Sequence, residues 1–140
     1  MIKTVLLFFS LVTVWFQTTG TLTGKWKLTQ YTDFKTGKID SIPAKCDDQK
    51  NMVFNFSDNQ KEGTLGGQTI SNSLTFQYSL SAKNKITTSL LLSAKVGDFE
   101  KFAQMFEGAI EKATTYKIDG NTLIIYYDND TKCMLFIKQK

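Results

Sequence analysis

The chain has 140 residues, of which 41% are hydrophobic and 21% are charged, and these values are ordinary for one globular domain. It contains no histidine, which excludes Ser-His-Asp, Cys-His and histidine-ligated zinc chemistry within the chain. Its 17 basic residues are all lysines and are interspersed with 13 acidic residues, so the net charge of +4 does not indicate nucleic-acid binding.

Residues 1–20 have the pattern of a cleavable signal peptide. Lys3 precedes the apolar run Val5–Phe16, and small residues end the segment at Gly20. The run is shorter than the roughly 20 residues that a transmembrane helix needs. We therefore predict a signal peptide over residues 1–20, a mature domain over residues 21–140 with no stable membrane span, and a secreted or periplasmic location.

Five strands are predicted before residue 95. Each segment alternates apolar and polar residues or lies between turn residues. The segments are Gly24–Tyr31, Asn51–Phe56, Glu62–Leu65, Ser73–Ser81 and Ile86–Ala94. We expect Thr32–Asp48 to be a surface loop and Gly66-Gly67 to end the third strand. In the fifth strand, we expect Ile86, Thr88, Leu90 and Leu92 to share one face.

An amphipathic helix is predicted over Asp98–Lys112, because the apolar period changes there from two to three and four residues. Its apolar stripe consists of Phe99, Phe102, Ala103, Phe106, Ala109, Ile110 and Ala113. Three further strands follow, separated by turns at Asp119–Asn121 and Asp128–Thr131. The predicted fold is therefore mainly β: a single antiparallel sheet or partly closed barrel of seven or eight strands, with one helix before the last three.

Cys46 and Cys133 are the only cysteines. Because the predicted compartment is oxidising and the number is even, we hypothesise a structural disulfide between them. The alternative is two separate buried thiols. Neither cysteine has a histidine to activate it, so a catalytic thiolate is not expected.

Several segments, in order, resemble the META-domain (HslJ-like) family. They are Gly24–Tyr31, Asn51–Phe56, Asn72–Tyr78, the helix Phe99–Ala113, the hairpin Tyr116–Leu123 and Met134–Phe136. The resemblance implies an exported, non-enzymatic domain with a binding or envelope-stress role. The chain departs from the family at Gly66-Gly67-Gln68 and Ser93-Ala94-Lys95, where the family often has a cysteine.

A second resemblance is to small lipocalin-like envelope domains, which also begin with Gly-x-Trp-x-Leu, here Gly24–Leu28, and have a cysteine before the second strand, here Cys46. It implies a carrier of a small apolar ligand. The helix between late strands, which such domains usually lack, favours the META family. A third alternative is a secreted protease inhibitor that presents the loop Phe34–Lys45.

Five aromatic residues are candidates either for a ligand cavity or for a filled core: Trp26, Phe54, Phe56, Phe76 and Tyr78. Asp128 and Asp130 are explained by turn chemistry rather than by a cation. Glu107 and Glu111 share the polar face of the helix, where a solvated surface explains them. We therefore predict no catalytic residue, no metal and no cofactor. The expected protein is a monomer whose partner is an envelope protein or a small apolar ligand.

Overall fold

The computed structural model describes residues 20–42, 52–69, 73–94 and 101–140. In chain order the elements are β1 (Gly24–Asp33), β2 (Ile39–Ser41), β3 (Val53–Asp58), β4 (Glu62–Gln68), β5 (Ser73–Ser81), a 3-10 turn (Ala82–Asn84), β6 (Lys85–Ala94), α1 (Lys101–Glu111), β7 (Ala113–Asp119), β8 (Thr122–Tyr127) and β9 (Lys132–Gln139).

The strands form one antiparallel sheet that closes into a barrel. Apart from β2, each strand pairs with its neighbours in chain order, and β1 pairs with β9 from Lys25↔Gln139 to Asp33↔Lys132. Eight strands build the barrel, and β2 adds a short ninth strand to β1. Helix α1 precedes the last three strands. This architecture confirms the predicted fold class.

The antiparallel order defines two ends of the barrel. The base end contains the start of β1 and the β3–β4 turn, and the mouth end contains the end of β1 and the β8–β9 turn. Helix α1 lies at the mouth: the Tyr31 hydroxyl donates to the Phe102 carbonyl over 2.7 Å, and Lys101 Nζ lies 3.1 Å from Asp40 Oδ1. The helix is therefore fixed beside the end of β1 and beside β2.

Strand β5 has the predicted bounds and shows why the alternation works. Leu74, Phe76 and Tyr78 point into the barrel and are buried, whereas the residues between them face outward. Because successive side chains of a strand point to opposite faces, period two in the sequence becomes one apolar face. The same rule places Trp26 and Leu28 of β1 inside.

Two predictions about loops are wrong. Gly66-Gly67 does not end the third strand, since β4 continues to Gln68 and pairs with β3 through Gly67↔Phe54. The segment Thr32–Asp48 is not all loop, since its first two residues complete β1 and Ile39–Ser41 form β2. Glycine and charge clusters indicated turns, but backbone pairing with existing strands decided both segments.

The described part of the helix is Lys101–Glu111, and Asp98, Phe99 and Glu100 lie outside the described residues. The stripe prediction holds for Ala103, Phe106, Ala109 and Ile110, which are buried. Ala113, predicted to be on the stripe, is instead the first residue of β7.

In β6, Leu92 departs from the predicted face. A register shift between Thr75 and Phe76 pairs Phe76 with Leu90 and Thr75 with Leu92. Leu90 still shares a face with Ile86, because it pairs with the inward-facing Phe76, whereas Leu92 pairs with the outward-facing Thr75 and is 69% exposed. A β-bulge exchanges the two faces of a strand at the point where it occurs, and the alternation alone does not reveal it.

Candidate functional site

All five candidate aromatics lie in the barrel interior and are at most 2% exposed: Trp26, Phe54, Phe56, Phe76 and Tyr78. Phe106 of α1 enters the same cluster, stacked on Phe54 with ring centroids 4.1 Å apart and edge-on to Phe76 at 6.2 Å. Phe136 packs edge-on against Phe54 and Phe56. These side chains therefore pack on one another in the hydrophobic core of the barrel.

At the base end, the chain before β1 packs against the barrel. Leu22 is buried, and its carbonyl accepts the indole N–H of Trp26 over 2.8 Å. The Tyr78 hydroxyl donates to Asp58 Oδ2 over 2.5 Å. Burial, and then this hydrogen bond and the charge of Asp58, raise the pKa of Tyr78 well above its ordinary value. Tyr78 therefore remains a neutral donor to a carboxylate.

At the mouth end, the surface has a cleft of about 190 Å³, which we call the mouth cleft. Its floor is formed by Tyr31, Met105 and Tyr127, which are buried or half-buried. Its rim carries charges of both signs, from Asp33, Lys38, Asp40 and Lys132. An apolar floor with a few convergent polar groups is the usual composition of a small-molecule site.

The rim charges are partly paired with each other. Asp40 lies 3.1 Å from Lys101 and 3.8 Å from Lys38, and its side chain is one-fifth exposed. Lys132 lies 3.5 Å from Asp128, just beyond the rim. The pairs are exposed to water on the lysine side, so each lysine can exchange its partner for a ligand carboxylate at small cost.

Tyr127 connects the floor with these charges. Burial raises its pKa to about 12, with further contributions from Cys133 and from the carboxylates of Asp33, Asp128 and Asp40. At neutral pH the floor therefore presents a neutral phenol next to carboxylates, which suits hydrogen bonding better than proton transfer.

Sequence reasoning did not select the mouth cleft. Its residues come from β1, the β1–β2 turn, β2, α1, β8 and β9, and barrel closure brings Asp33 next to Lys132. The sequence signal was weak: charged residues in the segment predicted to be a loop, and a tyrosine directly before a turn. Only the register of β1 on β9 brings these charged residues and this tyrosine into one cleft.

Cys133 is a buried free thiol on the outer side of β9, paired with Thr32 and Tyr126 across the sheet. Burial raises its pKa, and a hydrogen bond with Thr32 partly offsets this. Cys46 lies outside the described residues. The disulfide between the two therefore stays a prediction.

The acidic candidates have structural partners. Asp130 accepts hydrogen bonds from the hydroxyls of Thr114 and Thr115, and Asp128 pairs with Lys132. Glu107 is half-buried and Glu111 is exposed on α1. Across the described ranges, no group of three acidic or cysteine side chains is placed to hold a metal ion.

In the same part of the chain, no helix is long and apolar enough to cross a membrane.

Comparison with known proteins places the chain in a family. The family model described as Domain of unknown function (DUF4847) matches residues 13–138. The chain is similar to the crystal structure of a DUF4847 family protein from Bacteroides vulgatus ATCC 8482, with a TM-score of 0.60 and 14% identity over 84% of this chain and 95% of that chain.

It is also similar to the NMR structure of a protein from Burkholderia xenovorans, with a TM-score of 0.66 and 12% identity over 84% of this chain and 82% of that chain. At these identities the likenesses show the fold alone. No curated protein matches the chain.

The resemblance to the META-domain (HslJ-like) family is therefore wrong. The family match covers nearly the whole chain and is to a different family. The segments that carried the resemblance are a Gly-x-Trp strand, alternating aromatics and an Asp-Gly-Asn turn. Such segments are typical of antiparallel strands and tight turns, which occur in any small barrel, so they do not identify one family.

Proposed function

The chain belongs to the DUF4847 family, and we propose that it is an exported, non-enzymatic binding domain that acts as a monomer and binds a small zwitterionic ligand at the mouth cleft. The observation that carries this proposal is the cleft itself: an apolar floor of Tyr31, Met105 and Tyr127 beneath two carboxylates and two lysines. A ligand with an ammonium and a carboxylate complements such a rim.

The signal-peptide pattern of residues 1–20 supports export. The lack of histidine supports a non-enzymatic role, because the commonest general base is missing. The filled interior argues against a lipocalin-like carrier, since Trp26, Phe54 and Phe76 occupy the space that an apolar ligand would need.

The protease-inhibitor alternative gains no support from the hairpin. Within the described part of the segment Phe34–Lys45, Ile39–Ser41 folds back as β2, and Phe34 stacks on Tyr126 with ring centroids 6.3 Å apart. An inhibitor loop is extended and protrudes toward the protease, whereas this segment is paired with the barrel.

The test is an NMR titration of the isotope-labelled mature protein with free dipeptides and with the same dipeptides blocked at both ends. Free dipeptides should shift the resonances of Tyr31, Met105 and Tyr127, and blocked ones should not. D40N should weaken binding severalfold, whereas D119N, an exposed carboxylate at the base end, should leave it unchanged. Shifts away from the cleft, or equal binding of blocked dipeptides, would contradict the proposal.

A further inference from the structure

A second cleft, of about 290 Å³, opens at the base end of the barrel. It is lined by the first described residues, Gly20, Thr21 and Leu22, together with Asp58, Gln60 and Tyr116. We call it the base cleft. It therefore brings the predicted cleavage point of the signal peptide next to a carboxylate.

Residues 22–24 fix the position of Thr21. Leu22 is buried and is held by its carbonyl to the Trp26 indole, and Thr23 Oγ accepts the backbone N–H of Asp58 over 3.4 Å. Gly20 is exposed, and no atom lies within 4 Å of the position that a Cβ would take there. The first buried residue in the described part of the chain is therefore Leu22, while Gly20 and Thr21 before it are exposed at the edge of the base cleft.

The Asp58 carboxylate lines the base cleft. Its Oδ1 accepts the backbone N–H of Gln60 over 2.8 Å, and its Oδ2 accepts the Tyr78 hydroxyl. Burial first, and then the charge of Asp58, raise the pKa of Tyr116, which also lines the cleft. Within the part of the chain that the structure describes, no ion pair joins Asp58 to a lysine.

We propose that the base cleft is a binding site for a primary ammonium group, and that its ligand is the chain's own α-ammonium on Thr21 after the leader is removed. This inference rests on the export part of the proposed function. A signal peptidase hydrolyses the Gly20–Thr21 peptide bond with one water. Gly20 keeps a carboxylate, and Thr21 gains an amine that takes up a proton and pairs with Asp58.

The precursor lacks this interaction, because residue 21 then carries a neutral amide N–H. The processed domain is therefore more stable than the precursor. The titratable groups that face the ammonium are Asp58 and Tyr116, with Tyr78 behind Asp58. Pairing with Asp58 raises the pKa of the α-ammonium. Its stabilisation is complete below the unfolded pKa, near 8, and is lost as pH rises through the folded value.

The experiment uses protein processed from the full chain, with intact mass to locate its first residue and an NMR titration of Thr21 to measure its ammonium dissociation constant. No histidine titrates in the same range. The control is a chain with two extra residues before Thr21, whose α-ammonium lies on the first of them, away from Asp58. We expect the dissociation constant of the ammonium on Thr21 to be about two- to fivefold lower than that of the α-ammonium in the control, as for an exposed ion pair. D58N should abolish the difference, and D119N should preserve it.

The extended chain keeps Asp58 and its bond to Tyr78, so the comparison holds even if D58N is poorly folded. If the protein in the cell has the mass of the full chain, the leader is not removed, which contradicts export and also the capture of the Thr21 ammonium by Asp58. A processed protein that begins at another residue overturns the capture while leaving export intact. A protein that begins at Thr21 but has an unshifted dissociation constant also overturns the capture.

Discussion

Phe106 belongs to the helix but lies at the centre of the barrel, stacked on Phe54 and fully buried. Truncation to alanine would leave a cavity that the rigid strands cannot close, so we expect F106A to lose about 3–5 kcal/mol of unfolding free energy. Guanidinium unfolding, followed by Trp26 fluorescence, measures this.

F34A is the matched control, because Phe34 is 55% exposed and its loss should stay below about 1 kcal/mol. Similar losses in the two variants would mean that α1 contributes little to the core.

The predicted bridge between Cys46 and Cys133 is also a question at the scale of single residues. The described thiol is buried and its pKa is raised, so in reduced protein we expect Cys133 to react slowly with thiol reagents until the fold opens. Non-reducing peptide mapping of the secreted protein decides whether the bridge forms. Two free thiols in that sample would disprove it, and C46S should then leave stability unchanged.

At the residue scale the sequence predicted the core better than the site. Trp26, Phe76 and Tyr78 are core residues because alternation places them on one face, and a face is a local property. Asp40 and Lys132 of the mouth cleft lie on strands far apart in the chain. Their proximity depends on register across the β1–β9 closure, which no local pattern encodes.

Among the elements, β4 combines two adjacent glycines with opposite environments. A Cβ on Gly67 would lie 2.7 Å from the Val53 carbonyl and would overlap the Phe54 ring. A Cβ on Gly66 would have 3.9 Å to its nearest neighbours. Gly67 thus provides the space into which Phe54 packs. From the sequence, the two glycines predicted only the end of a strand.

We therefore expect G67A to lower the unfolding free energy by about 1–3 kcal/mol, because an overpacked core must shift backbone or aromatic rings. G66A should be neutral or slightly stabilising, because alanine loses less backbone entropy on folding. Denaturant titrations of both variants test this, and equal effects would show that β4 is free to move away from β3.

The element predictions failed where pairing overrode local signals. The sequence favoured a loop at Ile39–Ser41, but the unpaired edge of β1 binds that segment as β2. It favoured a continuous face on β6, but the register shift opposite Thr75 and Phe76 turns Leu92 outward. The helix was predicted well, because its apolar stripe is wide and repeats over three turns.

At the scale of the whole molecule, folding of the barrel shields several tyrosine hydroxyls that water reaches in the unfolded chain. Burial is the main cause of the raised pKa of Tyr78, Tyr116, Tyr126 and Tyr127, and that of Tyr127 reaches about 12. In the unfolded chain, these phenols ionise near pH 10. Between these values the unfolded state binds fewer protons than the folded state, so stability falls as pH rises.

We expect the guanidinium midpoint to fall between pH 10 and pH 12, with tyrosinate absorbance rising together with unfolding. Y127F removes one of the responsible groups and should make this decline shallower, whereas K140Q, at the chain end, should not. The stabilisation is complete well below pH 10, because there these four phenols are neutral in both states. Tyrosines that all ionise near pH 10 while the barrel stays folded would mean that water reaches them, and the closed core would then be an incorrect description of the molecule.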